Sequence, residues 1–214
     1  MDEAAHFADT AQQGLSSPLR IYGDVGSGNC LKVKYTADPL GLAYDWHHID
    51  IMKGESRSEA FLAKSPMGQV PMVEFADGRF LAQSNAIIRY LARGSALLPE
   101  DPFLQAKVDE VLFWEQYSHE PYVATTRYHI VYLGRSPDQR EAWRVERGER
   151  ALDLMERMLD GRPWFVGDTM TIADIALLAY TRLAHEGGFD LGSRPGVRRW
   201  IGRSEDFLGL QPAS

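Results

Sequence analysis

The chain has 214 residues, of which 44% are hydrophobic and 25% are charged, a balance typical of a globular protein that buries a core of its own. Its formal net charge of −7 argues against nucleic acid as the main partner, because phosphate binding needs a concentrated basic surface. The single cysteine, Cys30, excludes an intrachain disulfide and a cysteine-based zinc cluster, and it fits a reducing compartment.

The sequence predicts a cytoplasmic protein with no membrane segment and no metal. A membrane-spanning helix needs roughly 18 apolar residues, and the most apolar stretch, residues 172–180, is interrupted by Asp174. Residues 1–18 lack the basic start and apolar stretch of a secretory signal, and their polar composition predicts a flexible N-terminal extension. His47 and His48 make a poor metal pair, because neighbours on a strand point to opposite faces.

The first part of the chain predicts strands and helices in alternation. Residues 19–22 predict a strand, residues 23–28 a loop, residues 29–37 a helix and residues 44–51 a second strand, as in a βαβ unit. Ser56 and Glu59 have the spacing of a capping box that opens a short helix. A hairpin is predicted over residues 70–81, followed by a helix with Ser84 at its N-cap.

The hydrophobic pattern changes near residue 93. Beyond it, apolar residues recur at helical spacing, and no strand-like alternation of useful length returns. We therefore predict an α+β protein with two domains. An α/β domain would span residues 19–93, a proline-containing linker residues 94–102, and an all-helical domain residues 103–214.

The glycines between Gly23 and Gly28 suggest a nucleotide-binding loop, but the surrounding residues argue against one. The loop lacks the Gly-Lys-Ser/Thr of a phosphate loop, and Leu31 stands where a dinucleotide fingerprint has its third glycine. Asp50 has the spacing of a ribose-binding acid. The predicted hairpin, however, replaces the third parallel strand that such a domain needs.

Three short segments place hydrogen-bond donors beside predicted element starts. Ser27 and Asn29 stand at the start of the first helix, where an N-terminus favours an anion or thiolate, although Ser27 is equally well interpreted as a simple N-cap. Val70-Pro71 stands at a strand entrance, where proline can take the cis form. Gln83-Ser84 begins another helix. Together the three segments predict a cradle for an anionic, peptide-like ligand.

Five motifs carry a resemblance to the glutathione transferase superfamily, in particular to its cytosolic bacterial members of the serine or asparagine type. They are Ser27-Gly-Asn-Cys-Leu-Lys-Val33, Asp50-Ile-Met-Lys-Gly-Glu55 with Glu59-Ala-Phe-Leu62, Gly68-Gln-Val-Pro71, Leu81-Ala-Gln-Ser-Asn-Ala-Ile87, and Trp164-Phe-Val-Gly-Asp168 with Thr171-Ile-Ala-Asp174. The last pair also has the spacing of a capping box, which favours a structural role. The resemblance covers about residues 19–209. It implies a thioredoxin-like glutathione-binding domain followed by an all-α helical bundle.

The resemblance also implies roles for individual residues. Ser27 matches the hydroxyl that hydrogen-bonds the glutathione sulfur, and Asn29 matches an amide used similarly in some bacterial classes. The remaining implied glutathione contacts are Lys53, Arg57 and Gln69 at the glycine carboxylate, the Val70 backbone presented by cis-Pro71, and Gln83 and Ser84 at the γ-glutamyl end. Two positions depart from many relatives, which carry Glu in place of Gln83 and His in place of Ser56.

The implied reaction is attack by glutathione thiolate on a small electrophilic substrate, in a homodimer. Tyr122 and Arg127, on the first long helix of the helical domain, are candidates for the second-substrate pocket. Two alternatives stay open: a glutathione-dependent disulfide reductase, suggested by Asn29 beside Ser27, and a non-catalytic binding protein of the same fold. A nucleophilic Cys30 is disfavoured, because this residue is expected one turn into the helix and facing the core.

Overall fold

The structure is a computed structural model that describes residues 18–213. The chain forms two compact units, the first ending at Leu91 and the second beginning at Ala92. Residues 94–102, predicted as a linker, belong to the second unit. The predicted N-terminal extension lies outside the described residues, apart from Pro18.

The first unit contains a four-stranded mixed sheet. Its strands are β1 (Leu19–Gly23), β2 (Tyr44–His48), β3 (Met72–Glu74) and β4 (Phe80–Ala82), in the order β2-β1-β3-β4. Strand β1 is parallel to β2 and antiparallel to β3, and β3 is antiparallel to β4. This arrangement confirms the predicted thioredoxin-like fold with its terminal hairpin.

Strand β2 is shorter than predicted, ending at His48 instead of Ile51. The Asp50 carboxylate accepts the backbone N–H groups of Met52 and Lys53, each at 3.0 Å. An aspartate that binds the backbone two or three residues on stabilises a turn, so the chain leaves the sheet before Ile51.

Three helices accompany the sheet: α1 (Gly28–Ala37), α2 (Glu59–Leu62) and α3 (Ser84–Leu91), with a 3₁₀ turn at Glu55–Arg57. Helices α1 and α3 pack against each other. The capping box predicted at Ser56 was wrong. Ser56 is buried in the 3₁₀ turn, and the N-cap of α2 is Ser58, whose Oγ accepts the Phe61 N–H at 3.3 Å.

The described part of the second unit is built around a buried helix. Its helices are α4 (Pro102–Trp114), α5 (Glu120–Val131), α6 (Ala142–Met158), α7 (Ile172–Thr181) and α8 (Pro195–Leu208). Every residue of α7 is buried, and α4, α5 and α8 pack around it. The predicted first long helix, which carries Tyr122 and Arg127, consists of α4 and α5 joined by a π-helical turn at Glu115–His119.

The capping box predicted at the start of α7 is confirmed. Thr171 is the N-cap, and its backbone N–H donates a hydrogen bond to Asp174 Oδ2 at 2.9 Å. The same carboxylate accepts the Phe165 N–H at 3.1 Å and the Trp200 Nε1–H at 3.0 Å. Asp174 therefore ties three segments of the second unit together inside its core.

Candidate active site

Two helix N-termini meet in the first unit. Ser84, the first residue of α3, donates a hydrogen bond from its hydroxyl to Oδ1 of Asn29, in the first turn of α1, at 3.0 Å. The first N–H groups of a helix lack partners within that helix, and the end carries a partial positive charge. The contact therefore brings two predicted site residues together where an anion is favoured.

Ser27 occupies the N-cap position of α1 without using its side chain as a cap. Its backbone is extended, and its carbonyl accepts the Leu31 N–H at 2.9 Å. Its side chain makes no capping bond and instead hydrogen-bonds the sulfur of Cys30. The simple N-cap interpretation therefore describes the backbone of Ser27, whereas its hydroxyl interacts with the Cys30 sulfur.

Cys30 is fully buried, as expected from its position in α1. Its Sγ accepts the Asp24 N–H at 3.4 Å. Burial raises the pKa of the Cys30 thiol to about 12, although the hydrogen bonds from Asp24 and Ser27 act in the opposite direction. A thiol with such a pKa is protonated at neutral pH, and the thiolate is the nucleophilic form. The environment of Cys30 therefore disfavours a nucleophilic role.

The loop before β3 contains the predicted cis peptide bond, between Val70 and Pro71. Among residues 18–213, the backbone N–H and carbonyl of Val70 make no hydrogen bond. Gly68 has φ +59°, and a Cβ at this position would lie 2.9 Å from the Arg57 side chain. Arg57 also donates to the Met67 carbonyl at 3.3 Å. The glycine lets Arg57 lie against the loop that presents Val70.

Gln83 connects this loop to the start of α3. It directly precedes the helix and has φ +71°. Ser84, which the sequence predicts as the N-cap, is instead the first helical residue. Its side-chain amide donates to Gln69 Oε1 at 3.3 Å and to Met67 Sδ at 3.2 Å. Two further residues that are predicted to contact glutathione, Gln69 and Gln83, are therefore neighbours in the structure.

Lys53 is placed differently from the other predicted residues. Its side chain is 77% exposed and pairs with Asp50 at 3.0 Å. The hydrogen bond from Lys53 lowers the pKa of the Asp50 carboxyl, and the same bond raises the pKa of Lys53. The structure thus gives Lys53 a surface ion pair as its partner.

Sequence reasoning missed a second contact between the same two helices. Lys32 is fully buried in α1, and its Nζ donates to Asn85 Oδ1 in α3 at 3.3 Å. The sequence spacing could have indicated this contact. Lys32 lies three residues after Asn29 and shares its helix face, and Asn85 directly follows Ser84.

In the second unit, Tyr122 and Arg127 have well-defined partners. The Tyr122 hydroxyl accepts a hydrogen bond from Arg147 at 2.9 Å. Arg127 is buried and donates from Nε to Glu186 Oε2 at 2.6 Å. A cavity of about 600 Å³ lies elsewhere in this unit. Its lining includes Lys107, Trp114, Leu154, Met158 and Phe165, and neither candidate residue.

The residues that the structure describes contain neither a metal-binding cluster nor a membrane-spanning helix. Within residues 18–213, no group of three or more His, Cys, Asp or Glu residues is arranged to hold a metal ion. None of the helices described here combines the length and the apolar character needed to cross a bilayer.

Sequence models of known protein families match both units. The model of the glutathione S-transferase N-terminal domain matches residues 26–93, and that of the C-terminal domain matches residues 137–203. The chain belongs to the glutathione S-transferase family. The first match contains the cis-proline loop and the start of α3, so the predicted superfamily is confirmed at the segments that carry the candidate site.

Individual relatives of this glutathione S-transferase family member agree with the match. A glutathione S-transferase from Pseudomonas fluorescens Pf-5 is 47% identical, with a TM-score of 0.85 over 88% of this chain and 95% of that chain. A glutathione S-transferase-like protein, LUC7, from a Fusarium species is 33% identical over 73% of each chain. A glutathione transferase homologue from Drosophila mojavensis, solved with bound glutathione, is 26% identical, with a TM-score of 0.78 over 90% of this chain and 95% of that chain. These names support a transferase function for this chain.

Proposed function

We propose that this protein binds glutathione in its first unit and activates the thiolate for attack on an electrophilic, apolar second substrate. One observation carries the proposal. The Ser84–Asn29 hydrogen bond joins the N-termini of α3 and α1, and Ser27, at the N-cap of α1, has a hydroxyl that no helix cap occupies. Two positive helix ends beside a hydroxyl donor suit an anionic ligand that carries a thiol.

The proposed thiolate activation is within reach of these groups. A free thiol has a pKa of about 8.5, and lowering it by about two units takes about 2.7 kcal/mol of preference for the thiolate. One charge-assisted hydrogen bond, here from the Ser27 hydroxyl, contributes about 1.5–3 kcal/mol. The end of α1 adds about 0.3–1 kcal/mol, and Asn29 is proposed to add a further bond. No general base is required.

The remaining proposed contacts are assigned to the three parts of the glutathione molecule. We propose that the Val70 backbone, next to cis-Pro71, pairs with the cysteinyl part. Gln83 and Ser84 would hold the γ-glutamyl end, beside the positive end of α3. Arg57 and Gln69 would bind the glycine carboxylate, and Lys53 would join them by exchanging Asp50 for this carboxylate.

Tyr122 and Arg127 remain our candidates for contact with the second substrate.

We also propose a cytoplasmic homodimer. In support of a second copy as partner, Phe103, Phe113 and Tyr117 are 71%, 75% and 82% exposed. Their positions along α4 and the π-helical turn follow helical spacing, and an exposed apolar face often marks an interaction site. Sedimentation of wild type and Phe113→Glu should show a dimer and a weakened dimer, respectively, and a monomeric wild type would contradict this part.

Turnover assays test the proposed reaction. Wild type, Ser27→Ala and Asn29→Ala would be assayed with glutathione and either an aryl chloride, such as 1-chloro-2,4-dinitrobenzene, or a small mixed disulfide of glutathione. We expect conjugation by wild type and at least a tenfold loss in Ser27→Ala. Disulfide reduction without conjugation, most sensitive to Asn29→Ala, would instead establish the reductase alternative. Glutathione binding without either reaction would favour the binding protein.

A further inference from the structure

Lys32 is a buried cation close to the proposed glutathione site. Its side chain is 0% exposed, and its neighbours in α1, Val33 and Cys30, are equally buried. An ammonium group removed from water costs free energy unless hydrogen bonds or opposite charges compensate it. The Asn85 side-chain oxygen supplies one such bond at 3.3 Å.

The bond to Asn85 runs beside the bond between Asn29 and Ser84. Asn29 and Lys32 are three residues apart in α1 and therefore share one face of the helix. Ser84 and Asn85 are the first two residues of α3. Two side-chain bonds thus connect the first two turns of α1 with the first turn of α3.

We propose that Lys32 is a positioning residue for glutathione binding: by holding Asn85, it fixes the start of α3 so that Ser84 and Gln83 face the γ-glutamyl end of the ligand. The inference rests on the proposed function, since it assigns Lys32 to the same site. Lys32 acts through Asn85 and Ser84 and does not itself contact the ligand.

A positioning role for Lys32 predicts a change in glutathione affinity, whereas a purely structural role predicts a change in stability alone. An apolar side chain of similar length would fill the same space without the cost of a buried charge. Loss of the ammonium leaves Asn85 without this donor, so the first turn of α3 is held less firmly. Glutathione must then order this turn when it binds, and part of the binding free energy is lost. The affinity for glutathione therefore falls, and the KM for glutathione rises.

A double-mutant cycle tests the proposal. Calorimetry would give glutathione affinity for wild type, Lys32→Met, Asn85→Leu and the double variant, with Lys34→Met as the matched control. Lys34 lies in the same helix but pairs with Asp38 and Tyr44. We expect about a tenfold loss of affinity in each single variant, no further loss in the double variant, and a change below twofold in the control. The KM for glutathione should rise about tenfold, with kcat within twofold of wild type.

The outcomes separate this inference from the proposed function. Binding within twofold of wild type in folded Lys32→Met would overturn the positioning role, and so would losses that multiply in the double variant. If Lys32→Met does not fold, Asn85→Leu decides alone, because unchanged affinity in that variant overturns the proposal. Absence of glutathione binding by folded wild type would contradict the proposed function itself.

Discussion

The Ser84 hydroxyl donates a 3.0 Å hydrogen bond to Oδ1 of Asn29, and this single contact joins the N-termini of two helices that are distant in sequence. It places the serine directly after Gln83 next to an asparagine in the first turn of α1. A ligand anion at this point meets two positive helix ends held in a fixed relation.

Ser84→Ala should therefore weaken glutathione binding by about tenfold, because one hydrogen bond of about 1 to 1.5 kcal/mol is lost at the γ-glutamyl end. Calorimetry measures the effect. Ser58→Ala is the matched control, since it removes the cap of α2. It should lower the free energy of unfolding by about 1 kcal/mol and leave affinity unchanged. Equal affinities for Ser84→Ala and wild type would contradict the placement of the ligand.

Cys30 should be inert in the folded protein. Its buried thiol has a pKa raised to about 12, so its reaction with a disulfide reagent at pH 8 should be slow and should become fast after unfolding in urea. Since an unfolded cysteine has a pKa of about 8.5, the stabilising contribution of the protonated Cys30 is fully present below this pH. It is lost as pH rises toward about 12. Rapid labelling of native protein would show that the thiol is accessible.

Arg127 should contribute to stability through its ion pair with Glu186. The guanidinium is buried, so Arg127→Met should lower the free energy of unfolding by roughly 2 to 3 kcal/mol. The exposed pair of Arg150 and Glu146 provides the control, and Arg150→Met should change stability by less than about 0.5 kcal/mol. Urea denaturation measures both variants, and equal stabilities would contradict this role.

The same residue has a second, separable prediction. Glu186→Leu breaks the ion pair without removing Arg127. If Arg127 also contacts the second substrate, as the sequence predicts, the KM for that substrate should rise in Arg127→Met and stay near wild type in Glu186→Leu. Equal KM values in both variants would remove Arg127 from the second-substrate pocket.

Asp174 should be among the residues most important for stability in the second unit. Its removal leaves the N–H groups of Phe165 and Thr171 and the indole N–H of Trp200 without their buried acceptor. Asp174→Ala should therefore cost at least about 3 kcal/mol of unfolding free energy. Asp168→Ala, at an exposed aspartate, should change stability by no more than about 0.5 kcal/mol. Similar denaturation midpoints for the two variants would be the contrary result.

Much of the fold could be predicted because local signals agreed with the tertiary structure. The hairpin turn, the capping box at Thr171 and the proline at position 71 each have a short-range physical cause. One error arose where two neighbouring residues offered the same chemistry. Ser56 and Ser58 both have cap-forming side chains, and only the 3₁₀ turn of residues 55–57 decides which one caps α2. Strand β2 ended early because of the Asp50 side chain, which hydrophobic alternation does not record.

The contacts among the predicted site residues could not be read from the sequence. Resemblance gave Asn29 and Ser84 separately, whereas their hydrogen bond depends on how α1 packs against α3. The same packing buries Lys32 beside Asn85, and a lysine in a helix reads as a solvated residue when only its own helix is considered. The π-helical turn at residues 115–119 also escaped prediction, because its period differs only locally from that of the surrounding helix.

We propose above that the Ser27 hydroxyl promotes ionisation of the bound glutathione thiol. Titration of the thiolate absorbance near 240 nm, with saturating protein and glutathione, tests it in wild type and Ser27→Ala. We expect a bound-thiol pKa about two units below the free value of about 8.5 in wild type, and a return of at least one unit toward it in Ser27→Ala. Equal thiol pKa values in the two proteins, both with glutathione bound, would contradict it.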